Sequence, residues 1–342
     1  MNSTMQYRPS DNVIVPAIND GAYRLSMFTL YVIMVIFNMA GLATNVINVM
    51  VFVKQGVTSD SITVSFFAMS LSDLLSSALL IPSPLCSFID LELSNSMRNH
   101  CSLTLRVTNY LHVIFARVTC LIQTYISVER AFSVTFPLHV KHLIKTRNTV
   151  IINLVLFMII LAHTLPYLSN VDVIWLQDKD NTTRFIMVEN RDARVMSIVN
   201  YISMGFVIPS TAIAVNSLAT VLIIVRLRLM QKWRRTVSSS ASVSISKAQG
   251  MSFKNLEITK TVTVITSMYV ISLICSQICS IAFFTFPEVY LIGLNRYLYD
   301  VIYSIRYDIE AMHSTTNMFF YFKMSSRYRE MFHFIFCPNQ RK

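Results

Sequence analysis

Five stretches of this chain run for more than twenty residues with almost no charge, and nothing else in the sequence restricts the fold as strongly. Residues 25–53, 148–171, 195–225 and 261–287 carry no charged side chain, and 61–89 carries only Asp73. A helix crossing about 30 Å of hydrocarbon needs roughly 20 apolar residues, and a helix satisfies its own backbone hydrogen bonds in lipid. Two further stretches are apolar enough to cross but are charged. One, 101–135, holds Arg106, Arg117, Glu129 and Arg130; the other, 297–322, holds Asp300, Arg306, Asp308 and Glu310. Charges at such depth face the bundle interior or an interface. The expected fold is an all-α membrane protein, a seven-transmembrane helix bundle. Its spans fall at about 25–53, 61–88, 101–135, 148–170, 195–225, 258–286 and 297–322, between an N-terminal segment 1–24 and a tail 323–342.

Loop charge sets the orientation. Segments 54–60, 136–147 and 226–260 and the tail from Lys323 hold 17 Lys or Arg against three acids, Asp60, Glu257 and Glu330. The positive-inside rule places that side in the cytoplasm and the N-terminus outside, as expected for a multi-pass protein of the plasma membrane. The sequons at Asn2 and Asn181 then lie outside, where glycosylation occurs. Because the net charge of +11 is sorted by membrane side, it does not read as a nucleic-acid surface. Residues 1–24 lack the apolar run and cleavage site of a signal peptide, so the first span is expected to be an uncleaved anchor.

Segment 226–254, basic and then Ser-rich, is the one linker-like stretch. No internal repeat and no matched halves with broken helices are visible, which weighs against the alternative of a transporter or channel. No His-rich cluster or pair of acids converges as an intramembrane enzyme requires, so no catalytic residue is assigned. Six cysteines without metal-ligand spacing give no zinc site.

Span three ends in Glu129-Arg130-Ala131-Phe132-Ser133-Val134-Thr135-Phe136-Pro137-Leu138. Span one carries Gly41-Leu42-Ala43-Thr44-Asn45, span two Leu71-Ser72-Asp73-Leu74-Leu75, and span five Pro209. Span seven reads His313-Ser314-Thr315-Thr316-Asn317-Met318-Phe319-Phe320-Tyr321, and a basic amphipathic stretch follows it. These motifs, over residues 25–337, resemble the rhodopsin-like G-protein-coupled receptors, most closely divergent invertebrate peptide or chemosensory receptors. The departures are Ala131 for Tyr, Met318 for Pro, and Ser272, Leu273 and Cys275 where span six of the family has Cys, Trp and Pro. Without its proline span six has no enforced kink.

The resemblance implies a receptor that binds an extracellular ligand and activates a heterotrimeric G protein. It implies coupling and activation roles for Glu129, Arg130, Pro137, Asn317 and Tyr321, with Glu129 restraining Arg130 in the inactive state. It implies a polar network of Asn45, Asp73, Thr119, Ser314 and Asn317, which in the family holds a sodium ion at the Asp73 carboxylate; a polar knot between helices is the alternative. The stretch after Tyr321 is expected to be a short amphipathic helix on the inner membrane surface, with Cys337 as a palmitoylation site. The Ser-rich third inner loop is a candidate arrestin contact. The outer loop has no cysteine for the usual bridge to span three; Cys86 with Cys101 is a substitute pair, and two free thiols near the outer surface are the alternative.

The ligand pocket is read from helical faces. Tyr303, Tyr307, Glu310, Ser314, Asn317 and Tyr321 recur at intervals of four and three and share one face of span seven. Thr108, His112 and Phe115 form a similar face on span three, and with Arg117, Tyr303, Tyr307 and Glu310 they are the candidate pocket. The alternative for Arg117 and Arg306 is an internal ion pair with Glu310 or Asp308. His112 stands where amine receptors of the family place an Asp, so a monoamine is not expected. Span seven has no Lys for a retinal Schiff base.

Overall fold

The computed structural model of the chain describes residues 19–89, 95–136, 144–169, 171–177, 183–189, 191–238, 246–285 and 296–337. Its helices are α1 (Asp20–Gln55), α2 (Ser61–Leu80), α3 (Pro82–Ile89), α4 (Asn95–Thr135) and α5 (Thr146–Ser169), then α6 (Arg191–Ile202), α7 (Ile208–Ser238), α8 (Ser246–Thr285), α9 (Arg296–Met324) and α10 (Ser326–Phe336). Spans one, three, four, six and seven are α1, α4, α5, α8 and α9. Span two is α2 with α3, and span five is α6 and α7 joined by a π-helical turn, Ser203–Val207. Six of the seven spans are long and apolar enough to cross a membrane. The seventh, α9, has 29 residues and turns Arg306 and Asp308 to the inside.

Span three lies in the middle and packs on spans two, four, five and six; span one packs along spans seven and two. Leu218, Ile278 and Phe319 are among the side chains left exposed on the outer faces, as a lipid solvent requires. The close approach of spans one, two and seven depends on Gly41. A Cβ there would lie 2.8 Å from Ser77 Oγ. Just above it, Thr315 Oγ1 donates to Phe37 O at 3.0 Å. Gly56, at φ 84, takes the left-handed conformation that ends α1.

Three features depart from the sequence reading. Span two stops at Leu80 and restarts at Pro82, a first-turn proline whose missing N–H costs nothing there. The outer loop is a β-hairpin, β1 (Val171–Gln177) against β2 (Thr183–Glu189), antiparallel with Val171 opposite Glu189. Its β-branched and aromatic residues suit strands, so the all-α bundle carries a small β element outside it. Most of the linker-like 226–254 is helical, because α7 runs to Ser238 and α8 starts at Ser246. Straight-chain Arg, Leu, Met, Gln and Lys after Val225 favour continuing the helix.

Span six is an unbroken helix through Ser272, Leu273 and Cys275. The irregularity sits in span five instead. Pro209 has no N–H to donate, and the turn before it is wide, with Ile208 N–H bonded to Ser203 O. Gln277 Nε2 of span six reaches this turn, donating to Phe206 O (3.0 Å) and Ser210 Oγ (2.7 Å). Cys86 and Cys101 are disulfide-bonded with Cα atoms 5.6 Å apart, joining α3 to the N-terminal end of span three.

Candidate functional site

Three polar layers lie one below another inside the bundle. The outer layer is centred on Glu310 of span seven. Arg117 of span three donates from Nη2 to Glu310 Oε1 at 2.7 Å. Arg306, one turn earlier on span seven, places Nε 3.5 Å from the same oxygen and donates to Ser276 Oγ of span six at 3.1 Å. His112 Nε2 is 3.7 Å from Oε2, while its Nδ1 sits 2.9 Å from Ser76 Oγ of span two. One carboxylate thereby ties together spans three and seven, with spans two and six held at second remove. All four side chains are largely buried, which makes the interaction strong and the removal of a single partner costly.

The middle layer surrounds Asp73. Thr119 Oγ1 donates to Oδ1 at 2.8 Å and Asn317 Nδ2 to Oδ2 at 3.1 Å. Asn45 Nδ2 donates to Ser314 Oγ at 3.0 Å and to Gly41 O. From there bonds run inward: Asn48 Nδ2 donates to Asn45 Oδ1 (3.2 Å), and the Tyr328 hydroxyl of α10 donates to Asn48 Oδ1 (2.6 Å). A cavity of about 40 Å³ reaches from Asp73 up to Glu310 and is also lined by Ser76, Tyr269 and His313. That is room for a few waters or a small ion and not for a peptide. The carboxylate and hydroxyl oxygens of Asp73, Thr119 and Ser314 are hard donors of the kind that fit a small hard cation.

The inner layer is at the C-terminal end of span three. Arg130 Nη2 donates to Glu129 Oε1, which also accepts from Ser61 Oγ of span two at 2.7 Å. Glu129 Oε2 and Arg130 Nε have no partner among the described residues, and both side chains are nearly closed to solvent. Ala131, where the resembling receptors have Tyr, is buried against Ala219 and Ile223 of span five. Tyr321 packs its ring on Phe52, Phe66 and Tyr328.

A clasp holds α10 to the turn between α1 and α2. Arg327 donates to Asp60 Oδ2 (2.7 Å), Gln55 O (3.0 Å) and Ser59 Oγ (3.1 Å), and Asp60 Oδ1 caps α2 through Thr63 N. Burial raises the Asp60 carboxyl, but bonds from Thr63 and the charge of Arg327 outweigh it and hold the group below its usual value. Tyr328, buried in its aromatic setting, has its hydroxyl pushed above the ordinary tyrosine value. Cys337 caps the far end of α10, where Cys337 N–H bonds His333 O.

Of the residues singled out in sequence, His112, Arg117, Tyr307 and Glu310 come together, the His112 ring edge-on to Tyr307 at 4.9 Å. Tyr303 extends the group outward through a hydroxyl contact with Tyr307 at 3.2 Å. Two do not join it. Phe115 turns to span four and meets Phe157 at 6.1 Å, and Thr108 bonds back to Thr104 O of its own helix at 2.8 Å. Span three is surrounded on several sides, so a shared face does not choose which neighbour is met. Asp308 has no partner at either oxygen among the described residues, so Glu310 takes the arginines. Asn2, Asn181 and Pro137 lie outside the described residues. Sequence reasoning missed Ser61, Ser76, Ser276 and Tyr328; hydroxyl side chains in a helix carry no signal that names their partner.

Seven helices of a membrane-spanning bundle and an acid–arginine pair at the C-terminal end of the third are the features a G-protein-coupled receptor carries. The chain belongs to the serpentine type 7TM GPCR chemoreceptor family Srw, which matches residues 32–339. No curated protein matches it. Membership sets aside a transporter or channel and is membership of a receptor family, not an enzyme family. Its partners are accordingly an extracellular ligand, a heterotrimeric G protein and the bilayer.

Proposed function

We propose that this is a rhodopsin-like receptor of the plasma membrane, N-terminus outside, that takes a peptide or polar small molecule between its outer helix halves. The observation that carries the reading is a pair of buried arginine–glutamate centres, Arg117–Glu310 and Arg130–Glu129, at the two ends of one polar core. The ligand disturbs the outer centre, which braces spans three and seven. Their relative shift alters the Asp73 layer, and Arg130 leaves Glu129 to meet the G protein, a two-state element that ligand binding biases. Asp73, Thr119 and Ser314 would hold a sodium ion, whose positive charge would balance the buried Asp73 carboxylate. The Ser-rich stretch between α7 and α8 would take phosphate and recruit arrestin, Cys337 would carry a palmitoyl chain beside the amphipathic α10, and Asn2 and Asn181 would carry glycans.

The test is a ligand screen in cells with a promiscuous G protein, followed by nucleotide exchange on purified G protein. Arg130→Ala is expected to reach the cell surface and lose exchange. Full exchange from that variant contradicts the role given to Arg130.

A further inference from the structure

The outer layer holds more positive than negative charge. Arg117 and Arg306 both address Oε1 of a single carboxylate, Glu310. Neither of the other buried acids of spans two and seven relieves the excess. Asp73 is occupied by Thr119 and Asn317, and Asp308 meets no donor among the described residues. Arg306 uses only its Nε, on Ser276 and Glu310, so its two terminal nitrogens have no acceptor among the described residues although the residue is 5% exposed. A guanidinium held this deep is stable only with a counter-charge or a full set of acceptors.

The free edge of Arg306 faces span five at its wide turn. A Cβ placed on Gly205 would come 3.7 Å from Nη1, ordinary contact distance, so this end of the guanidinium lies against the turn. Gln277 fixes this turn from span six through Phe206 O and Ser210, and Ser276 fixes the guanidinium from the same helix. The edge is thus a rigid, two-pronged donor between spans five, six and seven, the geometry that matches a planar carboxylate.

We infer that the ligand of this receptor carries a carboxylate that docks on the terminal edge of Arg306, beside Gly205. The inference rests on the reading of the outer helix halves as the ligand site and names the chemistry that site recognises. The carboxylate comes either from the free C-terminus of a peptide or from a small organic acid.

Thermal unfolding of the purified full-length receptor tests this with benzoate against benzamide, and N-acetylphenylalanine against its amide. The acids are expected to raise the unfolding temperature by on the order of 2 °C at saturation, and the amides to leave it unchanged. A shift with N-acetylphenylalanine alone points to a peptide terminus, and equal shifts with benzoate point to a small acid. Arg306→Gln is expected to abolish the shift and Glu310→Gln to enlarge it, since both guanidiniums then lack an acid. Gly205→Ala, whose Cβ stands at ordinary contact distance, keeps the fold and weakens the shift. Equal shifts from acid and amide, or an acid shift that survives in both Arg306→Gln and Gly205→Ala, overturn the inference. Arg130-dependent nucleotide exchange in the same preparation would then leave the receptor reading standing.

Discussion

The outer and inner arginine–glutamate centres use the same two residue types and are built oppositely. Arg117 and Glu310 are far apart in sequence and join spans three and seven, with Arg306 and His112 crowding the same carboxylate. Glu129 and Arg130 are neighbours on one helix, and among the described residues only Ser61 ties their carboxylate to another span. The outer centre therefore fixes helix positions, and its loss costs fold stability as well as function. The inner centre holds one side chain in place without bracing the bundle, so opening it needs little rearrangement elsewhere. A strut and a latch are what a switch between two helix arrangements requires at its two ends.

The largest effect should come from breaking the strut. Glu310→Gln leaves two buried guanidiniums without an acid and is expected to destabilise the receptor by about 3–5 kcal/mol in thermal unfolding. Its surviving molecules should show raised basal nucleotide exchange; wild-type stability would mean that the outer charges are not coupled. Loosening the latch should be milder. Ser61→Ala removes one bond to a carboxylate, about 1.5–3 kcal/mol, and is expected to raise basal exchange without lowering surface expression. Unchanged exchange would show that Ser61 does not restrain Glu129.

Smallest of the three is the surface clasp. Arg327→Ala loosens α10 from the first inner turn through a pair about one-third exposed, worth about 0.2–1 kcal/mol. The folded Asp60 carboxyl lies below its ordinary value of 3.8, so the clasp stabilises fully above that pH and is lost as pH falls through the lower folded value. Hydrogen exchange of α10 should therefore rise in Arg327→Ala at neutral pH and converge with wild type in strong acid. A difference that persists in acid would place the contribution elsewhere.

Much of this was legible because lipid simplifies the sequence. Charge-free runs mark spans, and a charge inside a run, such as Asp73, Arg117 or Glu310, must turn inward, which already groups the functional residues. What stayed hidden is the choice of partner. Ser76–His112, Ser61–Glu129 and Asn48–Tyr328 join residues 36, 68 and 280 apart, and a serine or asparagine looks the same whether it bonds across helices or to its own backbone. Phe115 shows the same limit for apolar residues, since the face of span three that should have lined the cavity also meets span four. The helical extensions of spans five and six were obscured by their charge, which reads as solvation while favouring helix.

The two centres are most directly tied together by a double-mutant cycle on Arg117→Gln and Glu310→Gln, read as basal nucleotide exchange with and without Arg130→Ala. The expected result is that each single variant raises exchange, that the double variant raises it no further than the larger single one, and that Arg130→Ala silences all three. Additive effects, or raised exchange that persists after Arg130→Ala, would contradict a strut that works through the latch.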